Sequence, residues 1–364
     1  MSDIKIQTDR YSKSIVYFKN AGIVWTILGL VAGLLNEVQL MTGVPGADSP
    51  LSYGNLKAIA NNSVVFGGIL SFLLGYGLRI LNNEGKKQKI DIIGQVSFFL
   101  LQLGLILGIA VFASGVSSGR EYGEFNYHSD NLILLSIVIV LGLSIFNLNG
   151  EKLSPSAQFL LVTLSGMIVS FFFGNFGFPN SFLTSVAPTS GIQDTMVQEY
   201  YRMAVLTFFV YLPLLTILYQ ALPEKIGAEI QSMPAVRFQL IVSILLVPIA
   251  GGAALLYSVA PTIIQILGSY TAAALAISVL AGTVNLHQSF NSVKDTKSDG
   301  VVLAIRLAGL ALTVMALLQF FTRLPIAKHY LQYTAWSDVD PFFTATTVGI
   351  AVLYVASSMI TSNG

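Results

Sequence analysis

The 364-residue sequence has no cysteine, three histidines and few charges. Without thiols, disulfides, thiolate catalysis, iron–sulfur ligation and covalent haem attachment to this chain are excluded. The imidazole supply is His128, His287 and His329, and none of them falls deep in an apolar run. A redox metal site in a membrane bundle needs several inward-facing donors, so these three read as solvated or interfacial side chains. Met203 and Met315 are isolated thioethers that read as packing residues. Charged residues make up 10% of the chain, whereas a soluble domain carries roughly a quarter. The net charge of +1 gives nucleic acid no electrostatic reason to bind. Walker, HExxH and CxxC patterns are absent.

What the sequence does have is apolar length. Hydrophobic residues make up 54% of it, gathered in runs of about 20, enough for a helix to cross the hydrocarbon layer. A chain inside a bilayer must satisfy its own backbone, and no strand-like alternation is present, so the spans are helices. The pattern predicts an all-α, polytopic membrane helix bundle of about ten spans. They cover 21–41, 60–81, 90–115, 131–148, 157–178, 203–222, 235–257, 261–286, 301–321 and 342–360, the seventh and eighth nearly fused across "SVAPT". Residues 1–20 are a polar cytoplasmic segment without a small-residue cleavage site, so no removable signal peptide is expected. Residues 21–361 form a single transmembrane domain. Fourteen of the nineteen lysines and arginines fall on the side of the N-terminus, which predicts both termini in the cytoplasm.

No internal repeat relates the halves, so the inverted-repeat signature of secondary transporters is not visible. Gly29 with Gly33 and Gly104 with Gly108 stand four apart, a spacing that lets helix backbones approach. Their faces on the first and third spans are also candidate surfaces for a partner. Charges near span ends are Glu37, Arg202 and Arg306, all within snorkelling reach of an interface. Glu199 and Arg202, three apart, share a helical face and can pair. Lys57, Glu37, Glu199 and Arg323 are therefore read as structural or ionic residues. No set of acids is spread through the membrane depth as a proton relay requires.

The stretch "YGNLKAIANNSVVFG", Tyr53 to Gly67, resembles the second-span motif of the catalytic subunit of haem–copper oxidases, most closely the cbb-type. Gly54, Leu56, Lys57, Asn62, Val64 and Phe66 keep that frame, and Ala60 stands where the family has a haem-ligating histidine. Three further stretches follow in the family's order. "YYRMAVLTFF" keeps Ala204 and Val205 but has Arg202 at a copper-ligand position. "GGAALLYSVAP" keeps Gly251, Leu255 and Tyr257 but has Ala253 and Ala254 for two copper-binding histidines. "QYTAWSDVDPFF" keeps Tyr333, Thr334 and Trp336 but has Asp340 and Phe342 where haem ligands belong. "LLQFFTRLP" adds Pro325, with Arg323 at the family's glutamate. The resemblance covers roughly residues 15 to 360 and implies a haem–copper oxidase subunit I-like bundle.

On that resemblance the ligand set is lost, so the expectation is that neither haem nor copper is bound by this chain. The polar residues Lys57 and Asn61–Asn62 then read as inherited scaffold capping a helix. The implied role is a non-catalytic subunit of a respiratory electron-transfer complex in a bacterial inner membrane. Its partners would be the lipid bilayer and other membrane subunits, a haem-bearing one among the candidates. A second reading is a transporter or channel that uses the emptied bundle, with Arg202, Arg323, Asp338 and Asp340 gathered at one end. A third is haem held by unusual ligands, His329 or His287. Whether lipid, quinone, water or side chains fill the vacated space is left open by the sequence.

Overall fold

A computed structural model describes residues 12–43, 50–84, 90–148, 153–293 and 300–331. Nine helices in them are long and apolar enough to cross a membrane: α1 Lys13–Thr42, α2 Tyr53–Asn83, α3 Ile90–Ala113, α4 Tyr127–Asn147, α5 Pro155–Gly174, α6 Gly191–Ile226, α7 Met233–Leu255, α8 Thr262–Asn291 and α9 Gly300–Arg323. A short helix, α10, Pro325–Leu331, follows. The predicted tenth span, 342–360, lies outside the described residues.

Helices α2 and α6 form the centre, with 94% of each apolar window buried by protein, against 28% for α1. Both are longer than the apolar pattern predicts. Helix α2 starts at Tyr53 rather than Ala60, and α6 starts at Gly191 rather than Met203. Hydropathy underestimates them because their first turns are polar and largely exposed, yet continue the same helix. Each winds through a π stretch, Ser63–Ile69 in α2 and Val205–Tyr211 in α6. Such turns often mark functional positions. The break between α7 and α8 falls where the sequence predicts it. A tight 3-10 turn, Gly251–Leu255, ends α7, and Pro261 precedes the first turn of α8.

The remaining helices pack around this pair, α1 on α2, α3 on α4, α5 on α6, and α8 between α7 and α9. The glycine pairs work within the chain. A methyl group on Gly29 would lie 3.0 Å from the carbonyl oxygen of Ala60, and one on Gly104 would lie 3.1 Å from that of Ser129. These faces are thus covered by α2 and α4 and do not offer the partner surface predicted for them. The lipid-facing stripe of α1 consists instead of Val24, Ile27, Val31, Leu34 and Val38, all exposed.

Candidate functional site

The ends of the bundle differ in chemistry. At the Arg79 end, Arg79 donates to Glu224 at 2.6 Å. Glu224 also accepts from Gln220 at 2.5 Å, and Ser156 bonds Gln220, tying α5 to α6. Arg79 sits over the ring of Tyr76, 5.6 Å from its centre. This is a structural brace.

The opposite end holds a denser polar cluster, built largely by the connection between α3 and α4. That connection, "GREYGEFN", folds inward. Tyr122 adopts a left-handed backbone at φ 62°, unusual for a residue with a side chain, and is buried. The turn carries Glu124 into the bundle, where its carboxylate accepts from Asn62 Nδ2 at 2.9 Å. Asn62 also donates to the Ala58 carbonyl at 2.8 Å. It is therefore a mid-helix residue reaching across to the loop, and not the helix cap that the sequence suggests. Asn126 caps α4 by accepting from the Ser129 amide at 2.9 Å. One turn on, Asp130 accepts from Asn175 at 2.8 Å. Asn62 Oδ1, Asn126 Nδ2, Ser129 Oγ and Tyr201 Oη are buried without a partner among the described residues.

Burial pushes the Glu124 carboxyl up to about 7 against the pull of Asn62, with Glu121 adding to the rise and Lys57 opposing it. Burial likewise raises the Tyr122 hydroxyl, helped by Glu121. A carboxyl poised near neutrality can take up or release a proton. Phe66, Phe125, Phe171 and Phe209 form an apolar cluster next to it. Phe66 stands 5.6 Å from Phe125, 5.8 Å from Phe171 and 5.1 Å from Phe209 between ring centres. Sequence reading missed Glu124, Asp130 and Asn175 because it placed the two acids in a solvated loop. The available signal was the pair of adjacent asparagines in α2, too polar for lipid and so in need of inward partners.

The raised pKa has a consequence for stability. The native state holds the proton more tightly than the unfolded chain, so Glu124's contribution to stability is fully present below about pH 4.5 and is lost as pH rises to about 7. Over that window the loss is on the order of 3 kcal/mol. Glu124→Gln is expected to flatten this segment of the pH–stability curve in detergent-solubilised protein, checked by thermal unfolding between pH 5 and pH 8.

Arg202 lies beside this cluster, 3.2 Å from Glu199 as its spacing predicts and 3.4 Å from Glu121. Arg120 pairs with Asp194. Lys57 and Glu37 are exposed at the same end. Arg323 is buried at the end of α9, its carbonyl accepting from Ser269. The run Gly115–Gly119 reads GVSSG, matching the letters of a nucleophile elbow. However, it follows a helix and enters a loop, where the Ser117 hydroxyl accepts from the Gly119 amide. His128 is the second residue of α4, and His329 is exposed on α10 beside Tyr257, 5.9 Å between ring centres.

Among the described residues, the positions aligned with metal ligands do not converge on a cavity. Ala60 faces α1, its methyl 3.8 Å from where a Cβ on Gly33 would lie, so a longer side chain there would meet that helix. Ala253 is fully buried in the 3-10 turn. The backbone of this turn touches two helices. A methyl on Gly251 would lie 2.7 Å from the Tyr200 Cα, and one on Gly268 would lie 2.4 Å from the Gly252 backbone. Ala254 is in the same turn, and Asp338, Asp340 and Phe342 lie outside the described residues. A narrow cavity remains between α6, α7, α8 and α9, lined by Met203, Thr207, Tyr211, Ser243, Gln319 and Arg323. Gln319 donates to Tyr211 across it. Among the described residues no group of three His, Cys, Asp or Glu side chains is placed to hold a metal. Alanines and an ion-paired arginine are not donors for copper or haem iron, so the described residues do not fit these groups.

Residues 13–361 match the model of the family described as cytochrome c and quinol oxidase polypeptide I. The chain belongs to this family. It is similar to a cytochrome c oxidase subunit 1 homolog from Bradyrhizobium diazoefficiens, 23% identical over 86% of this chain and 58% of that one. It is also similar to a cbb3-type cytochrome c oxidase subunit from Stutzerimonas stutzeri, 25% identical over 76% and 59% of the two chains. The chain spans about half the length of the curated relatives it matches. A solved haem–copper terminal oxidase dimer superposes with a TM-score of 0.78 at 12% identity, covering 96% of this chain and 68% of that one. The predicted all-α, subunit I-like membrane bundle is therefore the fold, and the protein is an integral membrane member of an oxidase subunit family.

Proposed function

We propose that this oxidase-family chain is a haem- and copper-free membrane subunit that packs beside redox-active subunits of a respiratory electron-transfer complex. One observation carries the reading. Arg202, Ala253 and Ala254 supply no metal donor, and the turn bearing the two alanines is closed by backbone contact with α6 and α8. On this reading the fold serves as a platform, sited in a bacterial inner membrane with both termini cytoplasmic. The transporter reading is disfavoured by the phenylalanine cluster next to the polar residues and by the brace across the other end.

The test is extraction of the tagged chain from its own membrane in mild detergent. The expected result is co-purification with a haem-bearing membrane protein. After that partner is stripped away, the isolated chain should show no pyridine haemochrome signal and no stoichiometric copper. Haem retained one-to-one by the stripped chain would refute the proposal, and solute flux through vesicles of the pure protein would favour a channel.

A further inference from the structure

Arg306 stands in the wrong company for a charged residue. On α9 it shares the exposed stripe with Leu303, Leu307 and Leu310, the face that meets acyl chains. It lies six residues inside the helix, roughly 9 Å along the axis. A cation at such a position is costly unless its head reaches the interface or an anion. The side chain does turn towards the membrane surface. Its guanidinium sits 4.2 Å from the centre of the Phe290 ring, and Phe290 is one residue before the end of α8. Stacking uses the flat face of the guanidinium and leaves its N–H edge for an acceptor. Among the described residues no carboxylate pairs with it.

Beside it a narrow groove opens between α6, α8 and α9, lined by Leu222, His287, Phe290, Ile305, Arg306 and Gly309. Its walls are apolar apart from the arginine and the half-buried His287. Gly309 keeps the floor open, since a methyl there would touch only the His287 ring, at 3.5 Å. His287 Nε2 lies 3.4 Å from the Thr313 hydroxyl, a long contact. An exposed apolar stripe of Leu303, Leu307 and Leu310, with a cationic fork at its interfacial end and a narrow groove beside it, matches an anionic phospholipid, with acyl chain along the stripe and phosphate at the arginine.

We infer that the α6–α8–α9 groove at the Arg79 end is a binding site for an anionic phospholipid whose phosphate is held by Arg306, assisted by His287. The inference does not depend on whether the chain binds haem. It is tested by native mass spectrometry of the detergent-solubilised full chain titrated with phosphatidylglycerol or with phosphatidylcholine of the same acyl chains. Wild type should retain phosphatidylglycerol about fivefold better, the factor that one interfacial arginine gives. Arg306→Gln should abolish the preference, and Gly309→Leu should weaken binding of both lipids by filling the groove. Equal retention of the two lipids by wild type, or an undiminished preference in Arg306→Gln, would overturn the inference. Should the variants not survive extraction, wild type is labelled with a photoactivatable phosphatidylglycerol. Adducts within 286–290 or 305–309 support the site, and adducts confined to other helices overturn it.

Discussion

Replacing Arg79 with methionine is expected to destabilise the protein by about 3 kcal/mol or more, the usual cost of stranding one member of a buried ion pair. The guanidinium is almost wholly covered and its partner is three-quarters covered. Without it, Glu224 keeps Gln220 as its remaining donor and must take up a proton or draw in water. Glu224→Gln should cost less, because a neutral amide is cheaper to bury than a carboxylate. The double variant, Arg79→Met with Glu224→Gln, should recover most of the loss, since removing both charges also removes both desolvation penalties. Thermal unfolding of the four proteins in one detergent completes the cycle. A double variant as unstable as Arg79→Met would mean that Arg79 acts through contacts other than Glu224.

Gly268→Ala is expected to cost about 3 kcal/mol, the upper end of what overpacking does in a close-packed interior. The added methyl would lie 2.4 Å from the Gly252 Cα and carbonyl carbon and 2.5 Å from the Ala253 amide. These are backbone atoms in a 3-10 turn pinned on its other side by Tyr200. They cannot swing aside as a side chain would, so α8 must separate from the turn. Gly142→Ala on α4, where nothing lies within 4 Å, is the control. It should be neutral or slightly stabilising, because alanine costs a helix about 1 kcal/mol less than glycine. Equal melting temperatures for the two variants would show that the turn is looser than its contacts imply. The same junction carries Ala253 and Ala254, so this measurement also tests how firmly those positions are closed.

Much of the architecture was legible in the residues. Apolar runs of span length located the helices, since the bilayer imposes one length and one backbone solution on every crossing segment. The Glu199–Arg202 pair was legible because a three-residue spacing fixes which side chains share a helical face. The family was legible through short motifs in a conserved order of spans, and the match over 13–361 bears this out. The glycine faces of α1 and α3 were misjudged as partner surfaces. Small residues signal close approach without saying which helix approaches.

The sequence by itself determined the class of molecule and the poverty of its ligand set: nine or ten apolar helices, three peripheral histidines and no thiol. Composition and period decide such properties locally. Only the tertiary structure decided that Glu124 turns inward to Asn62, that phenylalanines cluster next to them, and that Gly251, Gly252 and Gly268 close the turn at Ala253. These contacts join residues far apart in the chain. Their pairing is set by how helices pack and which buried polar groups must find each other, and no spacing along the sequence encodes that.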